Sequence, residues 1–528
     1  MAQCAHNRRR KSRKRIGTYV DFSASEASGR REPAGGAHEQ DTFCRRNSPG
    51  ASRSPLARLR LGARMMWCAL LLACCSSATA KETLVRDVDE FDAAVKTAEP
   101  GDAIVLADGE WRDADLVFHA KGGSTAPITL RGQTPGKVVL TGSSRLRIGG
   151  EYLRAHSLVW RDSTAKDDVV AFRVDSKTLA HNCIFLQSAI LSDVPDRERK
   201  YVSIYGDRNS VSQCRFEGKQ SKGTLLVVWL GEGDAPNKNS IVMNFFGARS
   251  RLGKNGGEMI RIGDSKTSLQ SSQSLVMANY FYRCDGEAEI ISNKSCDNEI
   301  VNNTFTGCSG AVTLRHGNRC RVHYNTFFGD GRSGTGGVRV IGEGHVVENN
   351  WFYGLLGDDA RAAISMMNGI PNSPANAYFQ VKNAVVRKNT FVDCKQNILV
   401  GLSDDDQKNQ NLPPTDCRFE GNVVLGKRPV FEVLAEPVGT TYDTNFYQGG
   451  ELGLADGGGW ELLSVRPNVD AVRNIWPVVN KGKVEDVEVK SHQYIKPQDV
   501  GSFWIAELAT GEEFLPEILK PEKKPDAK

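Results

Sequence analysis

Four side chains near the middle of this 528-residue chain have the types and spacing for proton chemistry at carbon. Glu287 and Glu289 lie in Cys284-Asp285-Gly286-Glu287-Ala288-Glu289, and on a strand such an alternating pair points both carboxylates to one face. Lys294 follows five residues later, and Arg315, in Leu314-Arg315-His316-Gly317, comes 21 after that. Paired carboxylates hold a hard cation such as Ca2+, which takes carboxylate and amide oxygens. Asn255, in Lys254-Asn255-Gly256-Gly257-Glu258, offers a third ligand of that kind. An amine close to a bound cation loses its proton more readily and becomes a base, while a guanidinium stays protonated and stabilises charge. The set suits removal of a proton from a carbon next to a carboxylate. Taken singly the residues say little: Glu-x-Glu pairs are common on exposed strands, a lone lysine is usually a surface residue, and a lone arginine usually an ion-pair partner.

Something must bring these residues together, and an internal repeat does so. An Asn, one variable residue and an aromatic recur as Asn244-Phe245-Phe246, Asn279-Tyr280-Phe281, Asn303-Thr304-Phe305, Asn325-Thr326-Phe327, Asn350-Trp351-Phe352 and Asn389-Thr390-Phe391. Cys183-Ile184-Phe185, Cys214-Arg215-Phe216 and Asn422-Val423-Val424 are looser copies. The steps between third positions are 31, 30, 35, 24, 22, 25, 39 and 33, so a unit of 22–25 residues carries inserted loops in its longer copies. Short β-type runs such as Ser240-Ile241-Val242-Met243 surround each copy, and helical periodicity is nearly absent. Short strands at this period predict an all-β solenoid, a right-handed parallel β-helix. Its Asn side chains would hydrogen-bond along the axis while Phe and Tyr stack inside. The 21-residue step from Lys294 to Arg315 is close to one coil, which places them on neighbouring rungs about 5 Å apart.

The open end of a solenoid is a sticky edge and needs a cap. Residues 87–97 predict an N-terminal capping helix, with Val88, Phe91 and Val95 on one face and acidic residues in the first turn. Pro100-Gly101-Asp102 ends it, and Ala103-Ile104-Val105-Leu106 opens the first coil. The β-helix is expected over 81–430, with C-terminal coils, a cap and a Lys/Pro-rich tail over 431–528. Cys284 and Cys308 are 24 residues apart, as are Cys296 and Cys320, which reads as stacked core thiols in preference to disulfides.

The first 80 residues differ from the rest. Residues 1–64 are rich in Arg, Ser, Gly and Ala and read as a disordered or over-extended start, translation beginning at Met65 or Met66. Residues 65–80 have a basic flank, a short apolar run and an Ala-x-Ala end, the pattern of a secretory signal peptide. The expected location is therefore secreted or periplasmic, with lipid attachment at Cys74 a weaker alternative. Residues 1–80 hold 15 Lys/Arg against 5 Asp/Glu, and the remaining residues 53 against 58. The part beyond Ala80 is thus mildly acidic, which removes the main support for nucleic-acid binding. No later stretch is long and apolar enough to cross a membrane.

Three strings resemble polysaccharide lyase family six, the alginate lyases and chondroitinase B: Asn255-Gly256-Gly257-Glu258-Met259-Ile260-Arg261-Ile262-Gly263, Cys284 through Ser295, and Leu314-Arg315-His316-Gly317. The resemblance covers about residues 82–430. It implies a secreted β-helix in which Asn255, Glu287 and Glu289 hold Ca2+, Lys294 is the Brønsted base and Arg315 the acid. It also implies that His316 lines the cleft and that Arg339 and Arg361 contact carboxylate or sulfate groups of an anionic uronate polysaccharide. Arg339 follows Arg315 by 24 residues, again about one coil. The implied reaction is β-elimination across C5 and O4, yielding a 4,5-unsaturated sugar. Alginate is the expected substrate and dermatan sulfate the alternative. A β-helix glycoside hydrolase would need two carboxylates across the scissile bond; Asp358-Asp359 and Asp404-Asp405-Asp406 sit in insertions and leave Lys294 and Arg315 unexplained. A non-catalytic glycan-binding solenoid is the remaining alternative.

Overall fold

Strands of two to seven residues cannot hold a sheet by themselves, and here each leans on its equivalent in the next coil. The computed structural model describes residues 80–404, 408–488 and 494–504, with Pro516 and Lys520. The 1–64 segment, Cys74, all of the signal segment but Ala80 and nearly all of the tail lie outside the described residues. The described chain winds into a right-handed parallel β-helix with three long parallel sheets of 14, 13 and 14 strands. Leu275–Met277, Glu299–Val301 and Arg321–His323 show the pattern, stacked residue over residue in three successive coils.

Two ladders run up the axis. The Asn244 backbone N–H donates to Asn279 Oδ1 at 2.9 Å, and the same bond repeats from Asn279 to Asn303, Asn325, Asn350, Asn389, Asn422 and Asn445. Each amide nitrogen also donates to the oxygen of the next, as Asn303 Nδ2 does to Asn325 at 3.0 Å. Beside them Phe246, Phe281, Phe305, Phe327, Phe352 and Phe391 stack with centroids 4.6–5.0 Å apart. These are the third positions of the repeat. All eight described cysteines are free and buried.

The capping helix spans Val88–Thr97, with the Asp87 side chain accepting from Glu90 N–H and Phe91, Ala94 and Val95 buried. One boundary differs from expectation. A strand, Glu82–Val85, precedes the helix and pairs with Ala103–Leu106, so the first coil begins before the cap. Beyond residue 430 the expected C-terminal coils run through Asn445–Gly449 and Trp460–Leu462. Asn445-Phe446-Tyr447 is a further copy of the repeat, one coil beyond Asn422-Val423-Val424. A hairpin, Ile475–Asn480 with Lys483–Glu488, then lies against the side, Trp476 packing on Trp351 and Tyr353. Residues 494–504 lie along the same side, from Tyr494 on Phe328 to Trp504, whose Nε1 donates to the Gln187 carbonyl.

Asn325→Ala would strip the Asn303 N–H of its buried acceptor and the Ile300 and His323 carbonyls of a donor. At 1–3 kcal/mol for each unsatisfied buried group, the expected loss is roughly 3 kcal/mol. It would appear as a lower urea midpoint at unchanged slope.

Candidate active site

The strands Glu289–Lys294 and Ala311–His316 are neighbours in the 13-stranded sheet, and their pairing slips twice. Glu289 faces Ala311, Asn293 faces Leu314, and Lys294 faces His316. Lys294 and Arg315 are therefore on neighbouring coils, but the direct partner of Lys294 is His316, 22 residues on. Arg315 is the surplus residue of the irregularity, and such a bulge re-aims a side chain. Arg339 likewise stacks over Thr313 and not over Arg315, in a column Arg261–Ser292–Thr313–Arg339.

Re-aimed this way, Arg315 reaches several groups. Its Nε is 3.8 Å from Glu289 Oε1, its Nη1 donates to the Ala377 carbonyl at 2.8 Å, and its guanidinium lies 4.3 Å over the Tyr378 ring. Nη1 also lies 3.4 Å from His316 Nδ1. A guanidinium only donates, so Nδ1 accepts and Nε2–H is left to donate to Ser265 Oγ at 3.3 Å. Burial, and then the charges of Arg315 and Lys294, push His316 down to about 3, so its ring is neutral at ordinary pH. Both cations therefore bear on one imidazole. Among the described residues Lys294 Nζ has no hydrogen-bond or ion-pair partner.

Glu287 precedes its strand in a bend, and Oε2 accepts from the Gly256 and Gly257 N–H groups at 2.8 and 3.0 Å. Asn255 is exposed in the same loop, directly before Gly256. The loop is tied down by Arg249, a fully buried side chain that donates to the carbonyls of Ser221, Gly223, Gly256 and Glu258. Glycine is required where Gly257 and Gly286 touch: a Cβ on Gly257 would stand 2.4 Å from the Gly286 carbonyl carbon. Burial, then the Glu258 charge and, more weakly, that of Glu289, push Glu287 up to about 7 against its two amide bonds. The Glu289 carboxylate accepts from Ser292 Oγ. Glu258 and Glu289 thus bear on Glu287 by charge at one end of the strands, and carboxylate oxygens are the donors a hard cation takes. Among the described residues no three His, Cys, Asp or Glu side chains are gathered to hold a metal on their own, so the Asn255 amide would have to contribute.

On the coils beyond, Arg339 donates to Tyr378 Oη at 3.0 Å, and Tyr378 donates to Asp404 at 2.7 Å. Arg361 is half-buried and held below its ordinary value by burial and by the charges of Arg251 and Arg339. Among the described residues none of these three arginines is ion-paired. Sequence reasoning missed Glu258, Arg249, Ser265 and Tyr378. For Tyr378 a signal existed, since the 39-residue step between Phe352 and Phe391 marks the inserted loop that delivers it. Arg249 is an ordinary loop arginine in sequence, and nothing there foretells its burial.

A carboxyl raised in the folded state favours protonation, so its contribution to stability is present in acid and lost as pH rises from its unfolded value of 4.5 through about 7. The metal-free protein should therefore lose on the order of 3 kcal/mol across that window. Thermal melts of parent and Glu287→Gln protein between pH 4 and 8 check this, the variant being expected to lack the drop.

A sequence model of the chondroitinase B family matches residues 85–425. A variant of the family-six alginate lyase AlyGC has 35% identity and a TM-score of 0.75, over 85% of this chain and 60% of that one. This chain thus spans about three fifths of that enzyme's length. A mannuronic acid specific family-six lyase from human gut microbiota has 27% identity and a TM-score of 0.70, over 81% of this chain and 98% of that one. No curated protein matches. With the family model spanning nearly all the coils and the same β-helix in its relatives, the chain belongs to polysaccharide lyase family six, the family of chondroitinase B.

Proposed function

We propose that the protein is an exported lyase that cleaves alginate by β-elimination, using Ca2+ held by Asn255, Glu287 and Glu289. The observation that carries this reading is a partner-free Lys294 beside Arg315 and a neutral His316, a few residues along the strand from a crowd of carboxylates. The likeness to family-six alginate lyases supports the substrate class.

Lys294, deprotonated, takes the C5 proton of a uronate bonded to the chain through O4. The C4–O4 bond breaks as the C4=C5 double bond forms, and no water is consumed. Arg315 stabilises or protonates the departing O4, directly or through water. It is kept in place by the Ala377 carbonyl, the Tyr378 ring and Glu289. The neutral His316 accepts a bond from Arg315 without adding positive charge beside the base. When bound, Ca2+ would draw charge from the substrate carboxylate and make C5 more acidic. Arg339, Arg361 and Arg251 supply cations for neighbouring uronates in a mildly acidic protein.

The match to the chondroitinase B model supports dermatan sulfate as a second reading. Incubation with block alginates and with dermatan sulfate, followed by ultraviolet absorbance of the unsaturated product, separates the two. Lys294→Ala should lower kcat by about 10²–10⁴-fold, the usual worth of a general base. Full turnover by that variant would remove the assigned role. Chelation should abolish turnover and Ca2+ restore it; an unchanged rate would dismiss the metal.

A further inference from the structure

Arg199, Lys219 and Arg249 are buried cations that the chemistry at Lys294 does not use. They lie at the corner that leads into the 13-stranded sheet, ahead of the strands Lys200–Ile204, Leu226–Val228 and Ile260–Gly263 respectively. The Asp193, Arg199 and Lys219 side chains are 0, 0 and 1% exposed, and Arg249 is 2% exposed. Burying charge is costly, and well-packed apolar residues often hold a fold equally well. Apolar residues cannot donate to carbonyls, however, and that is how these cations are used. Arg199 donates to the Ala165 and Val194 carbonyls, Lys219 to those of Arg199 and Ser221, and Arg249 to four more positions around the Asn255 loop.

Ser221 joins the cations into one column. Its carbonyl accepts from Lys219 Nζ at 3.3 Å and from Arg249 Nη2 at 3.2 Å. Its N–H donates to Asp193 Oδ1 at 3.1 Å and its hydroxyl to Asp193 Oδ2. Asp193 Oδ2 is also 3.5 Å from Lys219 Nζ and 3.6 Å from Arg199 Nη1, so one carboxylate anchors the near end. At the far end Arg249 holds two segments at once. Its backbone N–H donates to the Arg283 carbonyl, and its carbonyl accepts from the Asp285 N–H, two residues before Glu287. Its guanidinium donates to the Gly256 and Glu258 carbonyls at 3.1 and 2.9 Å, just after Asn255. One residue therefore sets the Asn255 loop against the coil that carries Glu287.

We propose that the buried column Asp193–Lys219–Ser221–Arg249 positions the cation site, holding the Asn255 loop and the Glu287 carboxylate in their binding arrangement before the cation arrives. It rests on the reading of Asn255, Glu287 and Glu289 as Ca2+ ligands. The need for such a device lies in Gly256-Gly257: a glycine pair loses more freedom on ordering than any other, and a cation that had to order it would bind more weakly. Arg249 and the two amide bonds to Glu287 remove that cost in advance. None of the four column residues is a ligand itself; each acts through the backbone it holds.

Calorimetric titration with Ca2+ tests this without any turnover, on variants whose coils are shown intact by circular dichroism. Arg249→Lys, which keeps the charge but loses the fork that serves four carbonyls, should raise the Ca2+ Kd by about 10–100-fold. Lys219→Met combined with Asp193→Asn removes both buried charges together, so that neither is orphaned, and should raise Kd in the same direction by a smaller factor. This pair carries the test if Arg249→Lys does not fold. Asn325→Ala, which loosens the asparagine ladder away from the loop, should keep the parent Kd and so separates lost positioning from lost stability. Unchanged affinity in the column variants, or an equal loss in Asn325→Ala, would overturn the positioning role while leaving the cation site in place. Parent protein that takes up no Ca2+ would overturn the cation reading and this inference with it.

Discussion

The hydrogen bond from one asparagine's backbone to the next asparagine's side chain is what makes this a stack. In seven coils a residue other than glycine stands left-handed before the ladder asparagine, with φ from +52° to +57° at Met243, Ala278, Asn302, Tyr324, Asn349, Lys388 and Thr444. Apart from the two asparagines, these are not residues that choose that conformation, which costs about 1–2 kcal/mol each. The buried asparagine bonds offset that cost and close the corner at one angle in every coil. Register then follows, since a corner repeated identically leaves the strands on either side no freedom to slip.

Register is also what places the chemistry. Along the 13-stranded sheet the carboxylates gather where the strands begin and Lys294 where they end, with the column Arg261–Ser292–Thr313–Arg339 between. A slip in pairing between adjacent coils moves Arg315 out of line with its neighbours, and its guanidinium reaches across to Glu289 and Tyr378. A regular rung would have kept Lys294 opposite Arg315. The irregular one leaves Lys294 without a hydrogen-bond or ion-pair partner among the described residues and Arg315 held on several sides. The strain at the other end is electrostatic, with Glu287 crowded by Glu258 and Glu289 yet anchored by two backbone amides.

Much of this was legible in the residues. The Asn-x-aromatic unit foretold the coils, the two ladders and the buried free thiols, because each depends on residue type at a period. The capping helix was legible through its apolar spacing and acidic first turn. The short strand before that helix was not, since four residues of modest β-propensity have no period to read. Glu287, Glu289, Lys294 and Arg315 were recognisable through their strings, whereas Glu258 and Arg249 matter only through burial.

By itself, then, the sequence determined the family, the parallel β-helix and which strings bear the polar chemistry, because side-chain type and period survive in one dimension. The tertiary structure alone decided that Lys294 faces His316, that Arg339 aligns with Thr313, and that a loop tyrosine from an inserted segment lies under Arg315. Those facts depend on slips of one residue between coils and on where an insertion folds back. Neither leaves a mark on spacing, because a coil with a bulge and a coil without one have nearly the same length.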